Sequence, residues 1–173
     1  MASFTSVWRS VIASVLRTTH SPAADVPSPA GGSERGRTGP TATVEIDPTR
    51  VGNVRMSYVP STDGNPDPGE IVWTWVPYEE RDGRGKDRPV LLVATEPGGT
   101  ALAVQLTSKP HGGDEDFVSI GRGRWDVEGR PSWVGLDRIF RVHPDGMRRE
   151  AAALDPAGFR DVTDALTARY GWR

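Results

Sequence analysis

Three short stretches hold side chains suited to chemistry on a phosphate. "KDRP" sets Lys86 and Arg88 directly before Pro89 and the apolar run Val90–Val93. Arginine is a fixed cation whose planar fork matches phosphate oxygens. Pro89 restricts Arg88 toward extended geometry, which aims its side chain. "LTSKPH" ends a second apolar run with Thr107, Ser108 and Lys109. A hydroxyl there can donate a hydrogen bond to a charged oxygen. "GLDRIFRV" sets Asp137 and Arg138 inside a third run. Each stretch also has a plainer reading. Arg88 alone reads as the solvated start of a strand. Ser and Thr favour strand ends as ordinary turn chemistry. Asp137 reads as half of a surface ion pair, with Arg88 or Arg141 as its partner.

Other chemistries are excluded. The chain has no cysteine, so disulfides, thiolate zinc sites and cysteine nucleophiles are out together. That composition suits a reducing cytoplasm. His20, His111 and His143 stand far apart without ligand spacing, so neither a metal nor another cofactor is expected. There is no Ser-His-Asp order, Walker sequence or GxGxxG. "GRGR" at 121–124 is a weak phosphate cue. Net charge is −2, so any anion site must be a local patch.

These side chains need elements to hold them. The chain has 20 glycines and 15 prolines among 173 residues, which favours short strands and turns over a helical bundle. "EIVWTWV" (70–76) reads as a strand ended by Pro77, and 77–89 as a polar loop. "VLLVAT" (90–95), the turn "EPGG" and "TALAVQLTS" (100–108) read as a hairpin. Antiparallel pairing puts the end of one strand beside the start of the other, so Arg88 and Thr107/Ser108 are expected as neighbours. Further strands are expected at 117–121 and 133–143. A helix is expected over 154–172, with Asp155 as N-cap, Pro156 in the first turn and Gly171 at the stop. Phe159, Val162, Leu166 and Tyr170 form its apolar stripe. About five strands and one helix make a mainly β fold, a small bent barrel of SH3-like size with a C-terminal helix.

Residues 1–19 read as an amphipathic helix, with Phe4, Val7, Trp8, Val11, Ile12, Val15 and Leu16 on one face. It is too short to span a bilayer, which takes roughly 20 apolar residues, and fits a secretory signal poorly. It packs on its own domain or a partner, or lies on a membrane surface through residues 4–17. Residues 20–67 read as a Pro/Gly-rich linker. Short strands are expected within it around "TVEI" and "VRMSYV". Residues 68–173 are the expected barrel domain.

"GEIVWTWVPYEE…GKDRPVLLVA", "AVQLTSK" and "SWVGLDRIFRV", followed by a C-terminal helix, resemble the PemK/MazF toxins of type II toxin–antitoxin systems. The resemblance runs from Pro68 to Tyr170. It implies an SH3-like barrel, a homodimer, and metal-independent cleavage of single-stranded RNA. It also implies a cognate antitoxin that wraps the dimer and blocks the RNA groove. On it, Arg88 and Thr107, with Ser108 adjacent, are the catalytic positions. Lys86, Lys109 and Arg138 are the cations expected to bind RNA. Two positions depart from the family pattern, Arg138 for a glutamine and Phe140 for an arginine. A non-catalytic RNA- or peptide-binding module on the same fold is the alternative.

Overall fold

A computed structural model of the chain describes residues 35–61, 63 and 65–173, the side chains of 149–151 excepted. The amphipathic helix expected over 1–19 and the first part of the expected linker lie outside the described residues. Seven strands precede one helix: β1 Val44–Ile46, β2 Glu70–Pro77, β3 Gly85–Thr95, β4 Ala101–Thr107, β5 Phe117–Gly121, β6 Ser132–Val142, β7 Met147–Ala153 and α1 Pro156–Tyr170. Every ladder is antiparallel, in the order β1-β6-β4-β3-β2-β7, with β5 also on β6. The fold is mainly β with a C-terminal helix, as expected.

The strands are apolar on both faces, so both faces must be covered. On one face Ile71, Leu91, Val104 and Ile139 pack against Phe159, Val162 and Leu166 of α1. On the other, Val72, Val90, Leu92, Ala103, Phe140 and Met147 pack on one another. A single sheet can do this only by curling. Contacts across the curl tie its ends together. Thr43, just before β1, shares a 2.7 Å hydrogen bond with Thr74 of β2. Trp75 N donates to Arg35 O at 3.3 Å. Arg138 of β6 donates to the carbonyl of Pro77 at the end of β2.

α1 matches its sequence signals. The Asp155 carboxylate accepts from the backbone N–H groups of Ala157 and Gly158, both at 3.0 Å. Such a cap is worth about 1 kcal/mol. Gly171 turns the chain out at φ 71°, which favours glycine.

Three stretches differ from expectation. The polar residues 85–89 are not loop but nearly the first half of β3, paired with β2 from Pro77↔Gly85 to Trp73↔Pro89. Lys86, Asp87 and Arg88 are half-buried there. Pairing on β2 overrides their polarity. Gly85 permits the close approach, since a Cβ would stand 2.5 Å from the carbonyl of Val76. "MRREAAA" lacks an alternating pattern yet forms β7, because the edge of β2 offers it backbone partners. Of the two strands expected before residue 60, "TVEI" forms β1 and "VRMSYV" forms none. The latter stretch still packs on the barrel. Val54 is buried and accepts from Arg173 N at 3.0 Å, and Tyr58 donates to the carbonyl of Leu154 at 2.7 Å.

Candidate active site

The site grows from an interruption in β6. Val104 pairs with Ile139 and Leu106 pairs with Val134. Gln105 alone therefore faces Gly135, Leu136, Asp137 and Arg138. On the opposite edge of β6, β5 stops at Phe117↔Gly135 and β1 begins at Ile46↔Ile139. Residues 136–138 bulge out of both ladders. Leu136 is held in place by its N–H to Asp116 O at 2.8 Å and by Tyr170, whose hydroxyl donates to Leu136 O at 2.6 Å. A helix terminus thus props the bulge.

A cavity of about 60 Å³ opens at this bulge, lined by Gln105, Thr107, Gly135, Asp137, Arg138, Phe117 and, from the loop after β2, Glu79. Thr107 closes β4 and is 7% exposed. Its hydroxyl oxygen accepts from Lys109 N at 3.1 Å. The hydroxyl proton is then left to be donated elsewhere. Gln105 Oε1 is buried with no hydrogen-bond partner among the described residues.

Arg138 is the cation of the wall. Its Nε and Nη2 donate to Glu45 Oε2 at 3.2 and 2.6 Å, and Nη2 also donates to Pro77 O at 2.8 Å. The guanidinium lies over the Phe140 ring, 5.0 Å from its centroid. Arg81 Nη2 reaches the other oxygen of Glu45 at 3.3 Å. Burial pushes the Glu45 carboxyl up. The hydrogen bonds and charges of Arg138 and Arg81 outweigh that and hold it below the usual carboxylate range.

The other expected site residues are placed as follows. Arg88 pairs with Thr74 on β2 and is not on the cavity wall. The β3–β4 ladder reaches Val90↔Gln105 and stops there, while β4 stays paired with β6 on its other edge as far as Thr107↔Trp133. The same register continued would set Arg88 opposite Thr107, two residues past the last pair. Lys86 pairs with Val76 and points away from α1's core on the same face as Arg88, by strand alternation. Ser108 has a hydroxyl buried without a described partner. Lys109 is exposed. Asp137 faces the cavity, and no ion pair joins it to Arg88 or Arg141. Arg141 instead binds Glu96. Among the described residues no three His, Cys, Asp or Glu groups converge as metal ligands. No helix among them is long and apolar enough to cross a membrane.

Residues 67–169 match the model of a family described as PemK-like, MazF-like toxin of type II toxin–antitoxin systems, over more than half of the chain. The chain belongs to this family. Solved structures similar to this toxin include MazF (Form-I) from Deinococcus radiodurans, at 20% identity and TM-score 0.47, covering 62% of this chain and 97% of that one. MazE-MazF (Form-II) from the same organism is similar at 19% identity and TM-score 0.46, covering 61% and 96%. An endoribonuclease from Mycobacterial species is similar at 19% identity and TM-score 0.45, covering 62% and 94%. No curated protein matches.

Gln105, Glu79 and Glu45 of this toxin's site escaped sequence reasoning. Gln105 had a signal, as a lone polar residue inside "ALAVQLT". Glu45 had none, because it lies outside the family match and meets Arg138 across 93 residues of chain.

Proposed function

We propose that this toxin is an endoribonuclease that cleaves single-stranded RNA without a metal ion. The observation that carries the reading is Thr107. It ends β4 on a cavity wall, with its oxygen already accepting from Lys109 N and its proton available to a phosphate oxygen. In the proposed reaction the ribose 2′-oxygen bonds to the adjacent phosphorus and the bond to the 5′-oxygen breaks. A wall carboxylate, Glu79 or Asp137, takes the 2′-hydroxyl proton. Arg88 stabilises the pentacoordinate charge and supplies a proton to the leaving 5′-oxygen. Thr107, with Ser108 adjacent, holds a non-bridging oxygen. Lys86, Lys109 and Arg138 contact the flanking backbone. The products are a 2′,3′-cyclic phosphate and a 5′-hydroxyl. The reading includes a cognate antitoxin, a homodimer and action in the cytoplasm.

The test is incubation with a long single-stranded RNA in EDTA. Fragments ending in cyclic phosphate are expected. Intact RNA at stoichiometric protein, with the fold confirmed by circular dichroism, would overturn the reading. Arg88→Ala is expected to remove cleavage and leave the fold. Undiminished cleavage would move the chemistry elsewhere. The buried Ser108 hydroxyl favours a second reading, a non-catalytic RNA- or peptide-binding module. Binding without scission by the native chain would select it.

A further inference from the structure

We infer that Glu45 is a built-in competitor of RNA phosphate at Arg138, so that β1, which lies outside the family-matched residues 67–169, sets this toxin's RNA affinity. The inference rests on the reading of Arg138 as an RNA contact.

An arginine grips a phosphate best through two parallel N–H groups on one edge of its fork. In Arg138 the Nε/Nη2 edge is already filled. Both groups donate to Glu45 Oε2, and Nη2 also donates to Pro77 O. Glu45 reaches this edge because β1 is laid along β6 beyond the bulge. Its Cα partner is Phe140, the ring on which Arg138 stacks. The pair is largely shielded, with side chains 14% and 17% exposed, so solvent screens it little. The same carboxylate also engages Arg81 of the loop that supplies Glu79 to the cavity. One acidic side chain thereby occupies two cations, Arg138 of the cavity wall and Arg81 of the neighbouring loop. A phosphate can take the Arg138 edge only by displacing it.

Removing the carboxylate should therefore add a phosphate contact. The probe is a 2′-O-methylated single-stranded RNA oligonucleotide, which binds without offering the 2′-hydroxyl for cleavage. Its affinity is measured by fluorescence anisotropy across a salt series, for the full chain, Glu45→Gln and Glu45→Gln/Arg138→Gln. The single variant is expected to bind roughly tenfold tighter, as one charge-assisted contact would give. Its slope of log affinity against log salt should steepen by about 0.7, the value for one added contact on a single strand. The double variant should lose both gains. Equal binding and slope for all three proteins would overturn the inference alone, as would a gain that persists in the double variant. Absence of binding by any of them, with folds intact, would overturn the RNA reading and the inference together. If Glu45→Gln does not fold, Glu45→Asp serves. It keeps the charge but withdraws it by one methylene, and a change of the same sign is expected. No change in Glu45→Asp would overturn the inference.

Discussion

β6 carries two arginine–glutamate pairs three residues apart, and they are built differently. Arg141 meets Glu96 fork to fork, Nε to Oε2 at 2.6 Å and Nη2 to Oε1 at 2.7 Å. Glu96 also accepts from Thr100 Oγ1 at 2.9 Å across the β3–β4 turn. Each carboxylate oxygen is matched to its own arginine nitrogen, and although Glu96 borders a cavity of about 80 Å³, Arg141 does not line it. Arg138 puts both of its donors on one oxygen of Glu45 and leaves the other to Arg81. It does so on a cavity wall, beside a bulge. The first pair is a clasp for a turn. The second is a shared, divisible contact where a ligand can compete. On the proposed reading, the same residue types on one strand serve architecture at one end and recognition at the other. What separates them is the bulge at 136–138.

Substitutions at the two ends should separate accordingly. The largest effect is expected at the cavity. Thr107→Val should lower kcat for RNA cleavage by about 10²–10³-fold, the usual loss for one donor to a developing oxyanion, with the melting temperature almost unchanged. A smaller loss of kcat would place the essential donor elsewhere. At the clasp end, Leu102 is the Cα partner of Arg141 and is 1% exposed. Leu102→Ala should cost about 2–5 kcal/mol in urea unfolding, through lost burial and the void left behind. RNA cleavage at temperatures where the variant stays folded should persist. Glu96→Gln should be milder still. Arg141 is 43% exposed, so solvent screening limits the loss to about 1 kcal/mol, with cleavage unaffected.

The smallest expected effect is a pH dependence. Arg141's hydrogen bond, opposed by burial and helped by Thr100, holds the Glu96 carboxyl below its ordinary value. Its folded value is thus lower than its unfolded one. The stability it contributes is present above the ordinary carboxylate range and is lost as pH falls through the lowered folded value. Unfolding midpoints measured from neutral to acidic pH should show this decline. The decline should be shallower in Glu96→Gln. An identical slope in the variant would mean that the clasp contributes nothing in solution.

Legibility differed along the chain for physical reasons. The α1 signals are local, a carboxylate before a proline and a glycine at the stop, and local signals survive folding. The β3–β4 hairpin was readable because its turn and its two apolar runs are contiguous. The start of β3 was misread because polarity is a weak guide where a neighbouring strand supplies every backbone partner. β7 had no pattern to read because its burial is confined largely to Met147 and Ala152 among the side chains described. At the site, Thr107 and Arg138 were both singled out by residue type. That they share one wall, with Arg88 off it, depends on β4 staying paired with β6 through Thr107 after its pairing with β3 has ended at Gln105.

Residue order alone therefore determined the mainly β class, the helix with its two caps, the family, and the types of side chain available for phosphate chemistry. These follow from periodicity, capping and short contiguous motifs. Tertiary structure alone decided the bulge that opens the cavity, the burial of the Ser108 hydroxyl, and the meeting of Glu45 with Arg138. Each of those depends on strand register between segments distant in sequence, and register is set by which apolar faces can be buried together once the sheet has curled.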